Sequence, residues 1–105
     1  MDKTKKARLT KKGWTFGSAE TFLGLTPEES AYIEIKLSLA RELKKARIKK
    51  GLSQTALASK LGSSQSRVAK MEAADASVSL DLLIKSLLTL GASRTEVGRV
   101  IAKAA

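Results

Sequence analysis

Between Thr26 and Lys103 the apolar residues recur every three or four positions in five stretches, and a hydroxyl side chain stands before each one. That spacing belongs to amphipathic helices, and the hydroxyls are where N-caps belong. Thr26-Pro-Glu-Glu29 opens the first stretch with a cap, a proline suited to the first helical position, and a glutamate able to close a capping box. From Pro27 no glycine or proline follows until Gly51, so one long helix is expected, with Tyr32, Ile35, Leu39, Leu43 and Ala46 along one stripe. Ile33, Leu37 and Ala40 lie on an adjacent face, and the remaining faces of its second half are basic. Ser53 caps the next helix, with Leu57, Ala58 and Leu61 inward and Gly62 as its stop. Ser63 or Ser64 caps a third, burying Val68 and Met71, and Ala73–Ser77 reads as a loop or frayed end. Ser79 opens a fourth with Leu80, Leu83, Leu87 and Leu90 in step and Gly91 as its stop. Ser93-Arg-Thr-Glu96 offers a second capping box before Val97, Val100 and Ile101. No stretch alternates as a strand would, so the chain reads as all-α.

The first 23 residues read differently. Residues 1–13 carry Lys3, Lys5, Lys6, Arg8, Lys11 and Lys12 with little to bury, and they are expected to form a flexible basic arm. Trp14 and Phe16 mark where order should begin, and Ser18 to Gly24 suggest one or two helical turns. The expected organisation is therefore the arm at 1–13 and a single helical domain over 14–105, since 105 residues suit one core and not comfortably two.

Composition narrows the chemistry. The chain has neither histidine nor cysteine, which removes His-based catalysis, thiolate sites and the usual zinc ligands, so no metal and no cofactor is expected. Of its acids, only Glu28 and Glu29 are adjacent in a helix, and a helix N-terminus accounts for them. An enzyme is the weakest reading. No apolar run approaches ~20 residues, so a membrane span is not expected, and the basic start lacks the apolar stretch of a secretory signal. A cytoplasmic location is the expectation. The net charge of +10, with a second cluster at Arg41, Lys44, Lys45, Arg47, Lys49 and Lys50, favours a polyanionic partner.

Residues 51–72 give that partner a shape. Two short helices flank a glycine turn, and the second opens with Ser64, Gln65 and Ser66. A helix ~10–12 Å across fits the ~12 Å major groove of B-DNA. Gln65 suits a bidentate contact with adenine, while Arg67 and Lys70 suit guanine or phosphate. Ser64 and Ser66 suit bases or phosphate oxygens, and Gln54, just inside a helix start, suits a phosphate clamp. Periodicity by itself fits a plain helical hairpin with a solvated polar face equally well.

Leu52-Ser-Gln-Thr-Ala-Leu-Ala-Ser-Lys-Leu-Gly62, followed by Ser64-Gln-Ser66 and Met71-Glu72, resembles the helix-turn-helix of the Cro and lambda-repressor type, the XRE family. With Leu43 before it and Leu80–Leu90 after, the resemblance covers roughly residues 38–90. It implies an all-α, five-helix lambda-repressor-like domain with a helix-turn-helix at 53–73, here carrying an N-terminal helical extension and the basic arm. It also implies double-stranded DNA as partner. Gln54 takes the position of a glutamine that anchors phosphate and supports the base-reading one, and Gln65, Ser66, Arg67 and Lys70 take groove-facing positions. Ala58 and Gly62 are the small residue and turn glycine that allow close helix crossing. Ser63 departs from the apolar turn residue of the family, and Ala73-Ala74 replaces its polar-glycine helix stop.

The leading expectation is a homodimeric repressor on an inverted repeat, because two recognition helices double the contacts, with half-sites ~34 Å apart. Phe22, Leu25, Tyr32, Ile33 and Leu37, or else Val97, Val100 and Ile101, are the candidate dimer surfaces; both sets fit core capping as well. Phe22 through Leu37, running into the motif, is similar to antitoxin-like regulators of the HigA type, which implies an alternative role neutralising a small RNase toxin. The basic arm fits either tracking of DNA or plain solubilisation.

Overall fold

The computed structural model describes residues 24–104. The expected basic arm, the start of order at Trp14 and Phe16, the turns from Ser18 and the dimer candidate Phe22 lie outside the described residues. Five helices follow in order: α1 Pro27–Lys49, α2 Gln54–Leu61, α3 Gln65–Glu72, α4 Leu80–Thr89 and α5 Arg94–Lys103. No strand occurs among the described residues, in keeping with the all-α reading.

Two compact units divide inside α1, one ending at Glu34 and one running from Ile35 to Ala104. In the first, the capping box forms as the sequence predicts. The Thr26 N–H donates to Glu29 Oε1 at 2.8 Å, and the Glu29 N–H donates to Thr26 Oγ1 at 3.1 Å. Two donors that α1 would otherwise leave without partners are thereby satisfied.

The second unit holds one apolar core. Leu39, Ala40 and Leu43 of α1 meet Leu57 and Ala58 of α2, Val68 and Met71 of α3, Leu83 and Leu87 of α4, and Val97 of α5. Each fully buried leucine or valine of this set contributes about 1.5–3 kcal/mol relative to exposure. Ile35, Ala46, Leu52, Leu61, Leu80 and Val100 are half-buried around it. Among the described residues of this unit Ser86 and Lys36 are the buried polar side chains; Ser86 has 1% of its surface exposed, and its hydroxyl donates to the Met71 thioether at 3.6 Å.

One part of the stripe departs from expectation. The core takes it up only from Ile35 onward; Tyr32 is 46% exposed, and on the adjacent face Ile33 and Leu37 are 40% exposed while Ala40 is buried. Helical periodicity identifies a face but not how much of its length finds something to pack against.

The helix ends follow local chemistry. Ser53, Ser64, Ser79 and Ser93 sit in extended backbone before their helices, and each side chain accepts an N–H from the first turn. Ser93 and Glu96 close the second capping box, with the Ser93 N–H donating to Glu96 Oε1 at 2.7 Å. These donated bonds hold the Glu96 carboxyl below its ordinary pKa, helped by the nearby Arg99 and Lys49 charges.

Candidate nucleic-acid interface

The turn between α2 and α3 is set by Gly62, at φ +66°. This left-handed conformation suits glycine and brings the Ser63 N–H back onto the Ala58 carbonyl at 2.8 Å and the Gly62 N–H onto Ser59 at 3.2 Å. Ser63 is exposed in the corner and Ser64 is the cap, accepting the Arg67 N–H at 3.1 Å. The polar residue at 63 therefore leaves the corner closed by backbone bonds rather than by an apolar contact.

With Val68 and Met71 turned into the core, α3 leaves Ser64, Gln65, Ser66, Arg67 and Lys70 exposed. Gln54, in the first turn of α2, is half-buried. A chain of hydrogen bonds links these helices to α1. Gln65 Nε2 donates to Gln54 Oε1 at 2.6 Å, and Gln54 Nε2 donates to Glu72 Oε1 at 3.1 Å. Glu72, at the end of α3, also accepts from Arg47 of α1, through Nε at 2.5 Å and a terminal guanidinium nitrogen at 3.1 Å. The other terminal nitrogen of Arg47 donates to the Leu52 carbonyl at 2.8 Å, in the turn before α2.

The Arg47 and Glu72 side chains are only 11% and 4% exposed, and the pair is a two-pronged fork of the kind that gives directional strength. The hydrogen bond to Glu72 raises the Arg47 pKa further above its ordinary value, so the guanidinium stays charged throughout. Neither residue was among the sequence-derived site residues. The available signal was the placement of Arg47 four residues after Leu43 and seven after Ala40, on the buried side of α1, where a merely solvating cation has no reason to sit.

This arrangement leaves defined hydrogen-bonding capacity. One Nε2 hydrogen of Gln65 is engaged, while the second and the carbonyl oxygen remain, a donor and an acceptor in one plane. Gln54 likewise has one amide hydrogen left beyond its bond to Glu72. Ser66, Arg67 and Lys70 share the open side of α3, so the structure brings five of the six sequence-derived residues together on that helix and its cap, with Gln54 beneath Gln65.

The end of α3 is unusual in its residue. Helix geometry stops at Glu72, and Ala74 adopts φ +55°, a role that commonly falls to glycine. The Ala74 N–H donates to Met71 and the Asp75 N–H to Lys70, at 3.1 and 3.0 Å. Asp75 then accepts from both the backbone and the hydroxyl of Ser77, which holds its carboxyl below the ordinary value. The Ala73-Ala74 departure therefore changes the composition of the stop but leaves α3 at eight residues.

Among the described residues no cluster of acids gathers as a metal site, and no helix is long and apolar enough to cross a membrane. No curated protein and no solved structure matches the chain. A family model described as helix-turn-helix matches residues 43–97, from Leu43 at the core through Val97 of α5 and including every element of the hydrogen-bonded chain just traced. That match spans more than half of the sequence, and the chain belongs to the XRE-type helix-turn-helix family of DNA-binding transcription regulators.

Proposed function

We propose that the protein is a sequence-specific repressor that lays α3 in the major groove, with Gln65 reading a base pair. Ser66, Arg67 and Lys70 take neighbouring base edges and phosphates, Ser64 takes a phosphate at the helix start, and Gln54 braces Gln65 while offering its spare amide hydrogen to the backbone. The observation that carries this reading is the bond from Gln65 to Gln54 at 2.6 Å, which orients an exposed amide that solvation alone would leave free to rotate. A helical hairpin with a solvated face has no use for such a brace. Two copies acting on an inverted repeat would double a short contact. A cytoplasmic role follows from a DNA partner.

Selection of binding sites from random duplex DNA tests the proposal. A palindromic consensus with half-sites one helical turn apart is the expected result, and failure to enrich any motif would overturn sequence-specific recognition. Sedimentation at micromolar concentration tests the dimer, which a monomeric mass would remove.

A second reading, an antitoxin that neutralises a small RNase and represses its own operon, draws support from Tyr32 and Ile33. These exposed side chains, with Leu25, border a shallow concavity of about 350 Å³ flanked by Glu28 and Glu29, an acidic and apolar surface suited to a basic partner. Co-purification with the product of an adjacent gene is the expected result under this reading. Purification free of any such product, with repression intact, would leave the repressor alone.

A further inference from the structure

We propose that the groove between the Ser38–Lys50 part of α1 and α5 docks an acidic amphipathic helix from a partner protein, on the side of the molecule away from the DNA-reading helix. The groove encloses about 1300 Å³. Ala46, Val97 and Val100 form its apolar floor, with Leu87 and Leu90 beneath. Arg41, Lys45, Lys49, Lys50, Arg99 and Lys103 stand around it, against only Glu42 and Glu96.

Among the described residues most of this positive charge makes no ion pair, although Arg99 and Lys49 lie near enough to Glu96 to act on its carboxyl. Among the described residues, Arg41, Lys49, Arg99 and Lys103 have no carboxylate within 4.0 Å, and Lys45 meets Glu42 only at 3.9 Å across an exposed pair. Glu96 is committed to the Ser93 capping box. The Lys50 ammonium lies beside Gly91, just past the carbonyl end of α4, where a cation is favoured.

The groove and the recognition helix occupy different flanks of α1. At roughly 100° per residue, Lys45 and Lys49 lie about 160° around α1 from Arg47 and Arg41 about 120°, while the Arg47 guanidinium points to Glu72 on α3. Duplex DNA held by α3 therefore leaves this groove open. A phosphate backbone also has no use for an apolar floor.

Size and sign narrow the occupant. Small-molecule sites typically enclose about 300–1,000 Å³ and bury most of the ligand. This larger open trough instead suits a helix laid lengthwise, its leucine-type anchors on the floor and its carboxylates at the basic rim. The chain's own basic N-terminal stretch meets like charge here, and a second copy approaches against an overall charge of +10, with only its Glu28–Glu29 segment of opposite sign. An acidic helix from another protein is the complementary partner.

The test uses the full chain and a capped helical peptide of about five turns, with leucines at i, i+3, i+4 and i+7 and glutamates on both flanks. The expected result is saturable binding that shifts the methyl resonances of Ala46, Val97 and Val100. Arg99→Glu with Lys103→Glu should weaken it about tenfold or more, while Lys60→Glu with Lys85→Glu, an equal change in net charge elsewhere, should change it less than about twofold. Val100→Gln, which keeps every charge, should also weaken it. Equal binding of a peptide with lysine in place of glutamate would overturn the proposal. So would equal losses in the two charge-reversal variants, or displacement of the peptide by random-sequence duplex DNA or by inorganic phosphate.

Discussion

Gln65 donates to Gln54 across the helix-turn-helix at 2.6 Å, and Gln54 in turn donates to Glu72 at 3.1 Å, so the amide at the tip of α3 is oriented from inside the protein. On the proposed reading Gln54 is therefore as much a positioning residue for Gln65 as a DNA contact in its own right.

Replacement of Gln65 by alanine is expected to cost about 1–3 kcal/mol on the selected DNA site and to relax preference at one base pair. Gln54→Ala should relax the same base pair while also weakening all sequences slightly, through loss of its spare donor. A double-mutant cycle on the site and its single-base variants should give a coupling of about 0.5–3 kcal/mol. Strict additivity would show that the 2.6 Å bond does not matter to recognition.

Loss of Arg47 should be felt as instability rather than as altered base preference. Arg47→Met leaves the Glu72 carboxylate, 4% exposed, without its charge partner, and the Leu52 carbonyl without a donor. About 3–5 kcal/mol is expected from urea unfolding. Arg47→Met combined with Glu72→Met should recover much of that loss, since an apolar pair of similar volume avoids the desolvation of both charges.

At the end of α3, Ala74→Gly should stabilise the fold. An L-residue at φ +55° carries about 1–2 kcal/mol of steric cost, against about 0.4–1 kcal/mol for the added freedom of glycine in the unfolded chain. A net gain of about 0.5–1 kcal/mol in unfolding free energy, read as a higher urea midpoint, is expected. No gain would mean that the surrounding bonds from Asp75 and Ala74 have already relaxed the strain.

Acid should destabilise the protein through two exposed carboxylates. Glu96 and Asp75 are both held below their ordinary values of 4.5 and 3.8, chiefly by bonds from Ser93 and Ser77 respectively. For a depressed carboxyl, the stabilisation is fully present above the unfolded value and disappears as pH falls through the lower folded one. The urea midpoint should therefore hold from pH 7 to about 5 and decline below it. In Glu96→Gln the decline should be shallower and begin lower, and an unchanged profile would exclude Glu96 as a contributor.

The elements were legible because their signals are local. A serine or threonine before each helix, a glutamate three residues later at two of them and a glycine at the α2–α3 turn need only their immediate neighbours, and all formed as read. The outer limits of packing were less legible: Tyr32 continues the stripe of Ile35 and Leu39 in sequence but stays exposed. Least legible was the Arg47–Glu72 pair, whose members stand 25 positions apart, with only the place of Arg47 on the buried side of α1 to hint at it. The resemblance supplied Gln54 and Gln65 as a functional couple, but only the folded geometry revealed that Glu72 occupies one donor of Gln54. Ala74 was equally hidden, because alanine gives no hint of a left-handed turn.

Arg47 reaches both the start of α2, at Leu52, and the end of α3, at Glu72, from a helix that also carries core residues Leu39 and Leu43. The last turns of α1 together with α2 and α3 are therefore expected to open as one cooperative unit. Amide hydrogens of α3 should exchange with solvent only when the whole unit opens, rather than by fraying of an eight-residue helix that would scarcely survive alone. The exposed edge that carries Gln65 thus borrows its persistence from the interior.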